Sequence, residues 1–297
     1  MNSLAAIATT NGRLAVLAMD QRATLRRMLT EAGRPAADDD MIAFKLDVVG
    51  ALSPASSGVL LDLEYGVQPA RQAGALADEV GVLIAAEPAI KRKVDGEYHT
   101  FIEDDKNAAW VRDSGGDALK FLVQWDPDRV TSGSGTDPAQ MALDVVGGIV
   151  ADCAAIGVPS VIEPLVSVAP GRELTKEHQE AAVVRSAVRM AELGMDLLKI
   201  EWPGGPAACA SVSDQLGPVP WALLSAGVAY DAFVERTTIA LDNGACGFIA
   251  GRAIWGEAVA MNGPQRRAWL GDVARTRLDR LCALLETHGR SWQEVRG

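Results

Sequence analysis

The sequence is short of cysteine, histidine and positive charge. Its 297 residues include four cysteines and three histidines, and the formal net charge at pH 7 is −11. The cysteines, Cys153, Cys209, Cys246 and Cys282, form no C-x-x-C pair, so we expect buried, reduced thiols in a cytoplasmic protein. The acidic balance argues against nucleic acid and anionic membranes as partners. It still allows a small anion, because such a ligand needs only a few local cations.

Long apolar runs and targeting signals are also missing. The apolar run from Leu14 to Met19 is six residues long, whereas a membrane-spanning helix requires about 20. The first residues lack both the basic region and the sustained apolar region of a secretory signal. The sequence therefore predicts a cytoplasmic chain with no membrane partner.

Short apolar runs recur along the chain, and each is followed by residues of helical character. These runs cover residues 14–20, 57–62, 81–87, 118–125, 158–164, 196–202, 220–227 and 246–252. Their nearly continuous apolar character is typical of parallel strands that are covered on both faces. Between the runs, residues 137–155, 175–194 and 230–244 have the spacing of helices, with Thr175 able to cap the second of them.

Eight strand–helix units in a chain of this length predict one α/β domain, a (β/α)8 TIM barrel over residues 1–297. A doubly wound open sheet is the alternative, but that fold usually carries a glycine-rich fingerprint after its first strand, where this chain has Asp20-Gln21-Arg22. Residues 126–138, rich in Pro, Gly and Ser, are predicted to form a flexible loop after the fourth strand. The tail 264–297 predicts a last amphipathic helix, placed at 264–288, whose apolar side could contact another copy of the chain.

Three charged residues lie inside predicted strands: Lys120, Glu163 and Lys199. One interpretation is a buried ion pair between Lys120 and Glu163, but such pairs are a poor way to gain stability. Three ionisable groups at corresponding depths of one barrel instead favour a catalytic site.

A buried lysine among apolar neighbours suits chemistry that needs a neutral amine. Burial of Lys199, together with a second ammonium at Lys120, favours the uncharged form. A neutral lysine attacks a ketone to give an imine, and the protonated imine accepts electrons when an adjacent carbon–carbon bond breaks. Glu163 is the candidate general acid/base, while Asp20 and Glu87 are further carboxylates on the same rim.

The ends of the last two strands predict a phosphate site. Ser225-Ala226-Gly227 and Ala250-Gly251-Arg252 follow strands seven and eight, where barrels commonly bind phosphate. Glycine lets backbone N–H groups approach the phosphate oxygens, and Arg252 adds a bidentate donor. Ordinary turn glycines are the other interpretation.

A metal-dependent site is the competing prediction. Clustered histidines would favour it, but His99, His178 and His288 lie in no predicted strand and have no ligand spacing. Carboxylates could still hold a hard cation. We predict no metal ligands.

Seven strings, in chain order, together resemble one enzyme family: LAMDQRATLRRML, LLDLEYG, ALKFLVQWDPD, VIEPLV, DLLKIEWP, PWALLSAGV and GFIAGRAIW. They resemble the class I aldolases of the tagatose-1,6-bisphosphate aldolase family, which includes sulfofructose-phosphate aldolases. The resemblance implies a (β/α)8 barrel that forms a Schiff base between Lys199 and dihydroxyacetone phosphate, with no other cofactor.

The resemblance also implies a role for other residues. Glu163, Lys120 and Asp20 take the remaining catalytic positions. The substrate-binding residues are expected to be Gln21, Asp62, Glu87, Ser225, Gly227, Gly251 and Arg252. A homo-oligomer, dimer or tetramer, is expected.

The strings divide between two branches of the family. LLDLEYG resembles the tagatose-bisphosphate enzymes, whereas the short connection from Lys199 to Ser225 and the strings around it are more similar to the sulfofructose-phosphate branch. The favoured prediction is cleavage of 6-deoxy-6-sulfofructose 1-phosphate to dihydroxyacetone phosphate and 3-sulfolactaldehyde. The first alternative is tagatose 1,6-bisphosphate, cleaved to dihydroxyacetone phosphate and glyceraldehyde 3-phosphate. The second is a non-catalytic regulator that binds a sugar phosphate.

The two substrates differ in the anion at their far end, so the cations that bind it decide between them. The basic candidates are Arg22, Arg26, Lys91, Arg92 and Lys93.

Overall fold

The computed structural model describes residues 1–129 and 137–297. Eight parallel strands close into a barrel, with β1 at Leu14–Met19, β2 at Gly58–Leu61, β3 at Gly81–Ala85, β4 at Ala118–Trp125, β5 at Ser160–Val166, β6 at Leu197–Ile200, β7 at Trp221–Leu224 and β8 at Gly247–Ala250. Each strand pairs with its neighbours in sequence, and β1 also pairs with β8. This closure confirms the predicted (β/α)8 barrel and rules out the open sheet.

Helices surround the barrel. The α-helices described are Ala23–Glu31, Asp38–Leu52, Gln68–Gln72, Ala108–Asp113, Pro138–Ile156, Lys176–Ala191, Pro206–Gln215, Tyr230–Asp242, Arg252–Trp255, Gly263–Trp269, Arg275–His288 and Trp292–Arg296. The three helices predicted between strands are confirmed, and Thr175 caps the second by accepting the His178 N–H at 3.3 Å. An antiparallel hairpin of Arg92–Val94 and Glu97–His99 lies between β3 and β4. Most of the loop predicted over 126–138 lies outside the described residues.

The helix predicted at 264–288 is confirmed as a continuous helical stretch, with a widened turn inside it and a further short helix after it. The tail forms Gly263–Trp269, a wider π-helical segment Leu270–Ala274, and Arg275–His288, followed by the separate helix Trp292–Arg296. The long helix ends at His288, and Gly289 after it is extended, with φ of −75° and ψ of 142°. A Cβ at Gly289 would lie 2.6 Å from the Leu285 carbonyl oxygen, so this close contact requires glycine. The apolar side of this helix was predicted as a possible contact with another copy of the chain. That prediction is wrong for Leu278, Leu281 and Leu285, because they are buried in the chain's own core.

Helix Pro138–Ile156 is long and apolar enough to cross a membrane by length and composition, the one such helix among the described residues. Its buried residues Ala142, Val146, Ile149 and Cys153 recur at helical spacing, and the helix packs against β4 and β5. Part of the apolar surface of this helix therefore packs against the barrel.

The interior of the barrel is apolar at the amino ends of the strands. Leu14, Val16, Leu60, Leu83 and Ile249 fill that half in one buried cluster. Charged side chains face the interior only nearer the carboxyl ends of the strands, where Lys120, Glu163 and Lys199 lie. The polar residues thus lie at the carboxyl ends of the strands, above an apolar barrel interior.

Candidate active site

The predicted charged residues meet at the carboxyl ends of the strands. Asp20 follows β1 and Glu87 follows β3, while Lys120, Glu163 and Lys199 belong to β4, β5 and β6. Leu122 lies opposite Glu163 in the sheet, and Ile162 lies opposite Leu198. Continuing this register along the strands places Glu163 opposite Lys199. Lys120 lies opposite Val161, two residues before Glu163 and therefore one inward-facing position closer to the amino ends of the strands. Corresponding positions were predicted for all three residues, and the register gives them to Glu163 and Lys199.

Lys120 is enclosed by three carboxylates. Its Nζ lies 3.0 Å from Asp20 Oδ2 and 2.8 Å from both Glu87 Oε1 and Glu163 Oε2, and its side chain has no exposed surface. Burial acts to lower the pKa of Lys120, but Asp20, Glu163 and Glu87 outweigh it and raise the pKa well above its ordinary value. The three carboxylates therefore favour the ammonium form of Lys120.

Lys199 shares one of these carboxylates. Its Nζ lies 2.9 Å from Glu163 Oε2, the same oxygen that contacts Lys120. Lys199 is 5% exposed, and that small surface opens on a cavity at the barrel mouth. The ion pair considered as an alternative, Lys120 with Glu163, is present, and it forms part of the site.

The two amines keep the neighbouring carboxyl groups ionised. Burial acts to raise the pKa of Asp20 and of Glu163, but the charges of Lys120 and Lys199 outweigh it and lower both pKa values below their ordinary range. Asp20 also accepts a hydrogen bond from Gln21 Nε2 at 3.1 Å. The Gln21 Oε1 atom is buried and has no hydrogen-bond partner among the described residues, so it is available to a ligand hydroxyl group.

Two connected cavities open beside Lys199. The outer one has a volume of about 380 Å³ and is lined by Asp20, Gln21, Arg22, Lys91, Gln124 and Arg252, among others. The inner one has a volume of about 170 Å³ and is lined by Glu163, Glu201, Ser225, Gly251 and Arg252, among others. Lys199, Gln21, Glu163 and Arg252 line both cavities. Their combined space is in the range of small-molecule sites.

The predicted phosphate loops come together at the inner cavity. The Gly251 N–H donates to Ser225 Oγ at 3.4 Å. Gly227 has φ of +75°, and a Cβ there would lie 3.1 Å from the Arg252 guanidinium carbon; a Cβ at Gly251 would lie 2.4 Å from the Ala18 carbonyl oxygen. The positive φ at Gly227 and the close approach of the Ala18 carbonyl at Gly251 thus explain both glycines, with or without a bound phosphate.

Asp62 is not brought to Lys199. It is 2% exposed, forms an ion pair with Lys45, and accepts the Tyr65 N–H at 2.7 Å. It lines a neighbouring cavity of about 420 Å³ together with Glu64. Both oxygens of Asp62 thus have partners, and its predicted role in substrate binding stays a prediction. Lys45 was missed by the sequence interpretation, although a lysine in the run Ala43–Leu46 was a signal of a buried charge.

Glu201 is the second residue that the sequence interpretation missed. It follows Lys199 by two positions, just after the end of β6, and both residues line the inner cavity. Glu201 Oε2 accepts the Val166 N–H at 2.8 Å. Burial raises the pKa of Glu201, and the nearby charge of Glu163 adds to this effect. The two-residue spacing in Lys-Ile-Glu was the available signal.

The five basic candidates divide by position. Arg22 and Lys91 line the outer cavity, and Arg22 also donates to the Glu87 carbonyl at 2.8 Å. Arg26 instead pairs with Asp38. The other two stack outside the cavity: Arg92 lies 4.4 Å from the ring centre of Phe101 and Lys93 lies 4.1 Å from that of Tyr98.

The carboxylates that could have formed a hard-metal site surround an ammonium. Asp20, Glu87 and Glu163 all contact Lys120 Nζ, so a cation already occupies their centre. Within residues 1–129 and 137–297, no group of three or more His, Cys, Asp or Glu side chains has a metal-binding arrangement. The prediction of a metal-independent site is left to experiment.

Solved structures share the fold. A protein from Corynebacterium glutamicum superposes with a TM-score of 0.69 at 20% identity, over 95% of this chain and 88% of the other. An archaeal fructose 1,6-bisphosphate aldolase superposes with a TM-score of 0.63 at 15% identity, over 93% and 96% of the two chains. At these identities the likeness concerns the barrel alone.

Sequence identity is higher to a second group of proteins. Tagatose 1,6-diphosphate aldolase from Listeria monocytogenes is 28% identical over 98% of this chain and 93% of the relative. The enzyme of the same name from Streptococcus agalactiae is 28% identical over 96% and 94%. The family model described as "DeoC/LacD family aldolase" matches residues 14–257, which contain every charged residue of the mouth. The chain therefore belongs to the DeoC/LacD family of class I aldolases, which are lyases.

Proposed function

We propose that the protein cleaves a ketohexose 1-phosphate between C3 and C4 through a Schiff base on Lys199. The observation that carries this proposal is the arrangement of Lys199: its amine faces an open cavity, 2.9 Å from the Glu163 carboxylate. The caged ammonium of Lys120 lies against the same carboxylate oxygen. A nucleophile, a base and a fixed positive charge are thus in mutual contact.

Each group has a defined task. Lys199 attacks the C2 carbonyl, and loss of water gives the iminium. The Glu163 carboxylate then takes the proton of the C4 hydroxyl while the C3–C4 bond breaks and its electron pair moves toward the iminium. Asp20, which is ionised beside it, is the second candidate for that base. Lys120 stabilises oxyanions that develop at the reacting carbons.

The aldehyde product leaves first, and the enamine on Lys199 is protonated and hydrolysed to dihydroxyacetone phosphate. Ser225, Gly251 and Arg252 line the inner cavity, and Gly227 lies next to the Arg252 side chain. These four residues are proposed to hold the 1-phosphate. The far anion would then lie in the outer cavity, where Arg22 and Lys91 provide positive charge.

Two substrates fit this scheme. The strings after β6 favour 6-deoxy-6-sulfofructose 1-phosphate, whereas the names of the Listeria and Streptococcus relatives favour tagatose 1,6-bisphosphate. We expect 6-deoxy-6-sulfofructose 1-phosphate to have the higher kcat/KM when the purified protein is offered both side by side, and the opposite order would favour tagatose 1,6-bisphosphate. Neither being cleaved would remove the proposed substrate class. The rate is expected to persist in EDTA; loss of activity that a divalent metal restores would contradict the metal-free mechanism.

Trapping tests the covalent step directly. Purified protein is incubated with dihydroxyacetone phosphate, reduced with borohydride and analysed by peptide mass spectrometry. We expect a stable adduct on Lys199, and none in the Lys199→Arg variant. An adduct on another residue, or no adduct with an enzyme that turns over its substrate, would contradict the Schiff-base mechanism. No adduct and no turnover would leave the non-catalytic regulator as the better account.

A further inference from the structure

The inner cavity contains a carboxyl group that the proposed mechanism does not use. Glu201 lines this cavity of about 170 Å³ together with Lys199 and Glu163. A space of this volume holds only a few non-hydrogen atoms beyond the reacting carbons, so a group in it contacts the walls on several sides. Glu201 therefore faces the same small space as the amine of Lys199.

The two glutamates of this cavity have opposite surroundings. Glu163 contacts two ammonium groups, those of Lys120 and Lys199. Glu201 contacts no cation within 4.0 Å among the described residues, and its one hydrogen bond there comes from the Val166 N–H. The charged groups that share the cavity with Glu201 are Glu163 from β5, Lys199 from β6 and Arg252 after β8. Glu163 is thus placed as a base, and Glu201 is placed to hold a proton.

Schiff-base formation needs such a proton. After Lys199 adds to the ketone, the carbinolamine must lose its hydroxyl group, and hydroxide is a poor leaving group unless it is protonated. The lowered pKa of Glu163 leaves it without a proton to give. The raised pKa of Glu201 makes it the better donor of the two.

We propose that Glu201 is the general acid that dehydrates the carbinolamine on Lys199. Its free oxygen gives a proton to the departing hydroxyl group, the carbon–oxygen bond breaks and water leaves. The nitrogen lone pair forms the C=N bond, so a neutral carbinolamine and a neutral Glu201 become a cationic iminium and a Glu201 carboxylate. In hydrolysis the carboxylate takes the proton back from the attacking water. This inference rests on the Schiff base proposed above.

The experiment measures how fast the adduct forms. Wild-type protein and Glu201→Gln are mixed with dihydroxyacetone phosphate, quenched with borohydride at successive times and analysed for reduced Lys199. Glutamine keeps an oxygen that accepts the Val166 N–H but cannot donate a carboxylic proton. We expect the rate to fall about 100-fold while the final extent of labelling stays the same, because a catalyst changes forward and reverse rates alike. Glu180→Gln, on the outer groove of the barrel, is the matched control and should trap at the wild-type rate.

The pH profile gives a readout that a structural role would not change. In the wild-type protein we expect the trapping rate to fall on the basic side as Glu201 loses its proton, and this limb should be absent in Glu201→Gln. The wild-type profile alone tests the inference if the variant does not fold. Wild-type trapping rate and profile in a folded Glu201→Gln would overturn it, as would a wild-type rate without a basic limb. Absence of any adduct in the wild-type protein would instead overturn the proposed Schiff base.

Discussion

Lys120 and Lys45 are both buried lysines near β1, and their environments differ in the number of carboxylates. Lys120 has three and Lys45 has one, Asp62. Burial lowers the pKa of Lys45 in spite of that partner, whereas the three partners of Lys120 reverse the effect of burial. The comparison teaches that one carboxylate does not compensate for desolvation here and three do.

The largest effect on stability and on the trapping rate is expected from removing the buried ammonium group of Lys120. In Lys120→Met, three carboxylates lose the cation at their centre, so we expect the free energy of unfolding to fall by about 3–5 kcal/mol. Trapping of dihydroxyacetone phosphate on Lys199 should slow by about 100-fold or more, because Glu163 then pairs with Lys199 alone. Urea unfolding and timed borohydride trapping measure the two effects. Lys176→Met, at a lysine whose side chain is 80% exposed, is the control, and a wild-type trapping rate in a folded Lys120→Met would contradict the prediction.

An intermediate effect is expected at the second lysine. Lys45→Met leaves Asp62 buried with the Tyr65 N–H as its remaining partner, and we expect a loss of about 3 kcal/mol in urea unfolding. The double variant Lys45→Met/Asp62→Leu should regain most of this loss, because an apolar pair of similar volume replaces the ion pair. The KM of the double variant for the ketose phosphate decides the role of Asp62. An unchanged KM assigns Asp62 to the fold, and a tenfold increase would restore its predicted role in substrate binding.

The smallest effect is expected in acid. The pKa of Asp20 in the folded protein lies below the value of about 3.9 for an unfolded aspartate, so its contribution to stability is complete above that pH and is lost as the pH falls. Asp20→Asn should therefore flatten the decline of the free energy of unfolding below pH 4, by up to about 1.4 kcal/mol per pH unit. Urea unfolding between pH 2.5 and 5, a range chosen to span that titration, measures the slope. The exposed Asp78→Asn should keep the wild-type slope; the same slope in Asp20→Asn would contradict the ion pair with Lys120.

The barrel could be predicted because a parallel strand leaves a clear pattern. Runs such as Leu14–Met19 are covered on both faces, so nearly every residue is apolar and the eight repeats are visible without a structure. The tail was predicted only in part. Its apolar spacing indicated the helical stretch that ends at His288, but not the widened turn Leu270–Ala274 within it, since apolar residues continue at helical spacing through that turn.

The central residues of the candidate site could be predicted from the sequence, but the contacts between them could not. Lys120, Glu163 and Lys199 were visible as charges inside apolar strands, whose ends must meet in a closed barrel. The sequence could not show the direction of a side chain: Asp62 follows β2 as Asp20 follows β1, but Asp62 pairs with Lys45 of the preceding helix, Asp38–Leu52. The charge cluster around Lys120 depends on contacts across four strands, which no local pattern records.

One oxygen of Glu163, Oε2, contacts the amines of both Lys120 and Lys199. A resting lysine can offer up to three N–H groups, but once its nitrogen is bonded to a substrate carbon as an iminium it keeps one. The covalent bond would therefore loosen this carboxylate from Lys199 while Lys120 holds it in position. Arrival of the ketone would itself free the base that the next step requires, without any movement of a loop.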